Sequence, residues 1–480
     1  MRSHNHPSTP QAPRGKRAKR ALLVLLAAVC CFLPVLVPRT AEPMQAEAAS
    51  SLPDAAYQVR VGVAVPALGS GLYTAILQCE SGFTAGVSTA DGRGFEGLFP
   101  LHTASLKVTT DNAGTLSLLD GESGELLYTY VSERPFALKG ANGAPIRLHI
   151  NGGQREYPGF LEIVGAGGAL QVVNVVERET YVKCVMSTEI GSNVSRETRR
   201  AFSVMIRTVP MTPKHTANGC DVCGTNCCQV YRGNYLRDPE NDAIVDSTKG
   251  EYITYQGVPI QCLYHGGNGG ASCSSVAAWG GDEVPYLKSV TLQENEENAS
   301  EIWQYVFTKE ELFHFLSSRD AFRGMEDGVE SVEITETDPY GSDYVTLLSV
   351  TDSNDNLFLV ETSEKVRKAL RFDSANFKVS YTMEADVVGE DGTVSRQTVS
   401  GYIDADGEYR TFDSFAEYPL AGEPVGGTTV GADHITFDGV GSGHGVGFSG
   451  VGAEQLVAEG YSYRYLIEFY FEGTKISKLP

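Results

Sequence analysis

From Tyr57 to Val65 the chain reads YQVRVGVAV, an alternating, valine-rich run. Period-two alternation sends successive side chains to opposite faces, so such a run must bury one face in a sheet. The same β-branched texture returns in IRLHING and in GALQVVNVVERETYVKCVM, with glycines between the runs. Residues 55–180 are therefore expected to be mostly strand, joined by short turns. The 52 glycines and 21 prolines suit a fold of many turns. A chain of 480 residues exceeds what one core usually holds, so several subdomains are expected. The expected class is α+β: a β-rich, multi-subdomain ectodomain with a core and an inserted α+β subdomain.

After Gly191 the period changes. SRETRRAFSVMIRTV places Ala201, Val204, Met205 and Thr208 on one helical stripe, with Ser195 as N-cap and Glu197 in the first turn. Glu189 then falls past a strand end, at the entrance of that helix. Residues 210–230 form a cysteine-rich loop. A hairpin turning at Tyr255-Gln256-Gly257 follows, and then the flexible, glycine-rich GGNGGASCSSVAAWGG. Residues 292–430 alternate helices such as TKEELFHFLSS with strands such as SVEITET, and read as an α+β insertion. The tail, 431–480, carries the loop GVGSGHGVGFSGVG and a helix over AEQLVAEGYSYRYLIEFYF. The parts are thus 1–50, 55–180, 181–291, 292–430 and 431–480.

Residues 1–50 are set apart by a basic stretch, Arg14 to Arg20, and an apolar run from Ala21 to Pro38. This pattern is a signal peptide or signal anchor, which directs the rest across a membrane, tethered there or secreted. Beyond residue 50 the chain carries 31 Lys/Arg against 58 Asp/Glu. Such an acidic body repels nucleic acid and anionic lipid and leaves a neutral glycan as an easier ligand.

Three constellations can carry chemistry. Glu189 is either a carboxylate held by a helix N-terminus or a general acid with its pKa raised by Val185, Met186 and Ile190. Ordinary glycosidases use two carboxylates. One suffices where a sugar's own hydroxyl attacks and no water is activated. In HTANGCDVCGTNCC, His215, Cys220, Cys223, Cys227 and Cys228 offer five soft ligands; zinc needs four, and disulfides or free thiols also fit this density. Finally, His444 sits between glycines in GSGHGVG, a tight turn or a close approach to ligand, and Tyr264, Trp279 and Tyr286 offer rings for sugars or for a core.

Taken in order, these segments resemble the stage II sporulation protein D (SpoIID/LytB, amidase-enhancer) family. TYVKCVMSTEIGS is similar to a strand-turn ending in Ser-Glu-Met-Pro, ETRRAFSVMIRT to the helix after it, and CDVCGTNCCQVYRG to an Asp-x-Cys-x-Thr-x-His-Cys-Gln-Val-Tyr segment. YHGGNGGASCSSVAAWGGDEVPYLKSV and GHGVGFSGVGA resemble two later family stretches. The resemblance implies a membrane-tethered lytic transglycosylase acting on peptide-stripped peptidoglycan strands during engulfment in sporulation, beside a partner amidase. It implies Glu189 as the acid and 1,6-anhydro ends as product. Arg207, Tyr264, His265, Ser272, Trp279 and His444 would contact substrate, and His215, Cys223, Cys227 and Cys228 would hold a structural zinc. The chain departs from the family at Phe202, Gly191-Ser192, Ser272-Cys273 and Gly450-Val451, and Cys227 stands where the family has His. These departures suit an alternative: a non-catalytic wall-binding scaffold that stimulates an amidase.

Overall fold

The computed structural model describes residues 58–479, apart from 132, 151, 192, 293–301, 389–392, 404–407, 417 and 420–428. The basic leader and apolar run of residues 1–50 lie outside the described residues. Among those described, no helix is long and apolar enough to cross a membrane.

The alternating runs form two sheets. One has the strand order 222–223, 58–64, 169–177, 160–166, 136–140, 83–88, 95–101; the other runs 153–157, 146–150, 74–78, 105–110, 116–120, 126–130. Pairing is antiparallel except where Val61 and Gly62 meet Val222 and Cys223 in parallel. The register Val59↔Val176 and Val61↔Asn174 puts Val59, Val61, Val172 and Val176 on one face. These pack in one core with Leu77, Leu106, Val108 and Leu148 of the second sheet. The opposite face, with Val173, Val175, Phe160 and Ala137, is covered by Cys220 of the cysteine-rich loop.

The strand over Ala169–Glu177 does not run on towards Glu189 as the sequence suggested. It stops at Glu177, whose carboxylate accepts the backbone N–H groups of Glu179 (3.0 Å) and Thr180 (2.8 Å). Helix α1 then runs Arg178–Glu189. Tyr181, Val182, Val185 and Met186 are buried along it, a helical stripe that β-branched composition disguises as strand. Glu189 is therefore the last residue of a helix rather than the entrance to the next. Helix α2, Arg196–Thr208, starts at Ser195 and buries Ala201, Val204, Met205 and Thr208, as the periodicity requires. Helices α3 (Pro239–Ser247) and α4 (Ser275–Trp279) follow.

The insertion leaves along strand 302–308 and returns along 434–440, which pairs with it from Ile302↔Val440 to Thr308↔His434. Its closing strand thus runs past residue 430. Inside lie helices α5 (Lys309–Ser317) and α6 (Ser363–Leu370), and a sheet of strands 329–337, 345–352 and 357–361. The chain then rejoins the core: Tyr264 and His265 pair in parallel with Phe448 and Ser449, and Glu251–Thr254 pair with Lys475–Lys478. The C-terminal helical stretch is two helices, α7 (Gly450–Ala458) and α8 (Tyr463–Tyr470). Gly460 separates them at φ +96°, a conformation that favours glycine.

Candidate active site and cysteine-rich centre

Glu189 closes the last turn of α1, where unsatisfied carbonyls leave the helix end partly negative and disfavour a second negative charge. Burial raises its carboxyl pKa above the ordinary value; the backbone N–H of Val230, which donates to it, and the nearby hydroxyl of Tyr264 hold the rise in check. Val230 donates to Oε1. The strap that carries Val230 is pinned from the other side by the Thr188 hydroxyl, which donates to the Val230 carbonyl. The ring of Tyr264 packs edge-on against Phe202 at 5.2 Å, and Phe202 in turn against Phe448 at 5.2 Å. Phe202, which stands where the resembled family has Gln, is thus part of an apolar wall behind Tyr264. The groups that shift the Glu189 carboxyl, Val230 and Tyr264, are neutral, and neither is a carboxylate.

The cysteine-rich loop brings His215, Cys223, Cys227 and Cys228 together, with one donor atom from each all within 4.8 Å of one another. Cys227 Sγ lies 3.5 Å from His215 Nε2. Tetrahedral zinc with bonds of about 2.0–2.3 Å sets N–S edges of about 3.5 Å and S–S edges of about 3.8 Å, so this donor set has the chemistry and nearly the size of a zinc site. Cys220 stays outside it: its side chain packs beside Gly62, in a small apolar cluster with Val65, Phe160, Val173 and Val175. None of the eight described cysteines is bonded to another. The Cys223 thiol is pulled well down, first by a hydrogen bond from Cys228, while Cys228 is pushed up by the same contact.

The remaining candidates divide. His265, His444 and Trp279 form a row, with ring centroids 5.9 Å apart for the two histidines and 5.4 Å apart for Trp279 and His444. Val446 fixes both imidazoles: its carbonyl lies 3.3 Å from His265 Nδ1, and its N–H donates to His444 Nδ1 at 3.0 Å. Burial pulls His265 down to about 3 and His444 down to about 4, so both are neutral at pH 7. The glycines around His444 are required: Gly445 has φ +76°, and a Cβ there would meet the Tyr344 ring at 2.2 Å. Trp279 is 41% exposed and can meet a ligand. Arg207 and Ser272 are 0% exposed and offer a ligand no surface. Arg207 braces α1 against α2 through Glu179, and Ser272 holds Val290 through its hydroxyl at 2.8 Å. Tyr286 turns its hydroxyl to the Gln261 backbone N–H at 3.3 Å.

Sequence reading missed Gln229 and Val230, the residues directly after Cys228. Gln229 is buried, takes the Tyr181 hydroxyl at 2.5 Å and donates to the Tyr264 hydroxyl at 3.4 Å. Their one signal was adjacency to the cysteine cluster.

Residues 166–255, which hold Glu189 and the whole cysteine-rich centre, match the SpoIID family, described as "Stage II sporulation protein". The resemblance to the SpoIID family therefore holds over this segment. It is 25% identical over 307 residues to the "Amidase enhancer" of Bacillus subtilis (strain 168), a match covering 62% of this chain and 40% of that protein. It is also 32% identical over 138 residues to an uncharacterized protein of Brachyspira hyodysenteriae (strain ATCC 49526 / WA1), covering 28% of this chain and 37% of that protein. The chain spans about two fifths of the length of the curated relatives it matches.

Proposed function

We propose that this chain is a peptidoglycan lytic transglycosylase with Glu189 as its single acid, exported by its leader to work at the cell wall beside an amidase. The observation that carries the reading is one half-buried carboxyl with a raised pKa, held by the Val230 N–H beside a neutral Tyr264 hydroxyl. A raised pKa keeps a carboxyl protonated nearer neutral pH, as a general acid requires. Glu189 gives its proton to the oxygen linking N-acetylmuramic acid to N-acetylglucosamine, and the C1–O bond breaks. The carboxylate left behind takes the proton of the muramyl 6-hydroxyl as O6 bonds to C1. The acid is restored, no water is consumed, and the products are a 1,6-anhydro end and a free 4-hydroxyl. Tyr264, His265, Trp279 and His444 are the proposed glycan contacts. His215, Cys223, Cys227 and Cys228 would hold zinc, which when bound clamps the loop that ends in Val230 and takes no part in bond breaking. Digestion of peptide-free strands in ¹⁸O-labelled water tests the reaction: it predicts anhydro ends free of label, and labelled reducing ends would instead indicate hydrolysis.

A second reading draws on the name of the Bacillus subtilis relative, "Amidase enhancer", and on Phe202 filling the place of a polar family residue. In it the chain binds strands and stimulates an amidase without cutting. Glu189→Gln would then stimulate a wall amidase as well as wild type does.

A further inference from the structure

The insertion between strands 302–308 and 434–440 grips the two core segments that carry Trp279 and His444. Trp279 ends α4, whose N-cap is Ser274; the Ser274 hydroxyl accepts the Ala277 N–H at 3.1 Å. Ser274 in turn donates to Asp338 of the insertion, its N–H to Oδ2 at 2.9 Å and its hydroxyl to Oδ1 at 3.0 Å. The same carboxylate takes the Tyr340 N–H at 3.0 Å and the Ser342 hydroxyl at 2.7 Å. Four donors fill the acceptor sites of an ionised carboxylate, and Asp338 is only 4% exposed. Hydrogen bonds to a charged acceptor are the stronger kind, so the joint is firm.

His444 is held at both of its neighbours. The Gly443 N–H donates to the Asp373 carbonyl at 2.8 Å, and Gly445 lies against the Tyr344 ring. The Tyr344 carbonyl accepts the Asp338 N–H at 2.9 Å, so one short turn of the insertion reaches both segments. Cys273, directly before Ser274, joins them from the core side: its N–H donates to the Gly445 carbonyl at 2.8 Å, and its sulfur lies 3.3 Å from the Ser363 hydroxyl at the start of α6. A five-residue helix such as α4 is not stable by itself, so its direction is set by what it is tied to.

We propose that Asp338 is a positioning residue for glycan binding: from the insertion it fixes the start of α4, and so Trp279, against the loop that carries His444. The inference rests on Trp279 and His444 being glycan contacts, as proposed above. It gives the insertion a part in recognising the strand, while bond breaking stays with Glu189 on α1.

The test measures sedimentation with peptide-free glycan strands for full-length wild type, Asp338→Ala, Trp279→Ala and the double variant. Ordering one freed aromatic side chain on binding costs about two- to twelvefold in affinity. Asp338→Ala should therefore weaken binding about fivefold, and raise KM by a similar factor with kcat within about twofold. In the Trp279→Ala background the same change should cost less than about twofold, because the ring it positions is gone. General loosening of the fold would give the full loss in both backgrounds. If Asp338→Ala does not fold, Asp338→Asn serves: the amide keeps the shape but turns an N–H towards one pair of donors. It should weaken binding about threefold, again only while Trp279 is present. Wild-type binding in the variant that folds, or an undiminished loss in the double variant, overturns the inference while leaving strand binding standing. A wild type that does not sediment with strands overturns the glycan reading and this inference with it.

Discussion

Replacing Arg207 by methionine separates a brace from a substrate contact. The guanidinium is 0% exposed and spends all five N–H groups inside the protein. Nε and Nη2 donate to the two oxygens of Glu179 at 2.9 and 2.8 Å; Nη1 reaches the carbonyls of Ser203 (3.2 Å) and Glu251 (3.1 Å), and Nη2 also that of Val245 (3.3 Å). Deleting it strands the Glu179 carboxylate, whose side chain is 13% exposed, and three carbonyls. Breaking one side of such a buried pair costs about 3–5 kcal/mol, whereas replacing both partners by apolar groups is often near neutral. Arg207→Met should therefore lose about 3–5 kcal/mol in urea unfolding, and adding Glu179→Leu should recover most of that loss. Binding of glycan strands by the folded fraction, measured by sedimentation, should be unchanged. A variant as stable as wild type that no longer binds strands would refute the bracing role and return Arg207 to the cleft.

Metal analysis of protein purified under reducing conditions should give one zinc per chain. Cys228→Ser should lose it and Cys220→Ser should keep it, since the Cys220 sulfur lies outside the four-donor cluster and packs with Val65, Phe160, Val173 and Val175. Glu189 also leaves a signature in stability. Its folded pKa is raised above the ordinary 4.5, so stability is fully present below that value and falls as pH rises through the folded pKa. Glu189→Gln should therefore be more stable than wild type at pH 7, with the gain vanishing near pH 4, as read from urea midpoints at the two values. A gain that is equal at both would contradict a raised pKa.

Helix α2 was legible because its apolar residues keep a clean helical period and Ser195 caps it. Helix α1 was not: Val182, Val185 and Thr188 favour strand by composition, and its cap is the carboxylate of Glu177, outside the usual Ser/Thr/Asp/Asn signal. That error moved Glu189 from a helix end that opposes its charge to one that would have stabilised it. The four-donor cluster was readable from cysteine density, but which cysteine stays out depends on Cys220 packing with Val65, Phe160, Val173 and Val175, distant residues that spacing does not encode. The links from Gln229 to Tyr181 and Tyr264 span 48 and 35 residues, so they exist only once the chain is folded. Arg207 matches the resembled family's helix, yet such a match does not tell a residue that supports a cleft from one that lines it.

The most direct measurement digests peptide-free glycan strands with wild type and Glu189→Gln and counts anhydro-muramyl ends by mass spectrometry. Wild type should produce them and Glu189→Gln should produce at least about a hundredfold fewer, the scale of losing a general acid. Equal yields from the two proteins would contradict the assignment of the acid.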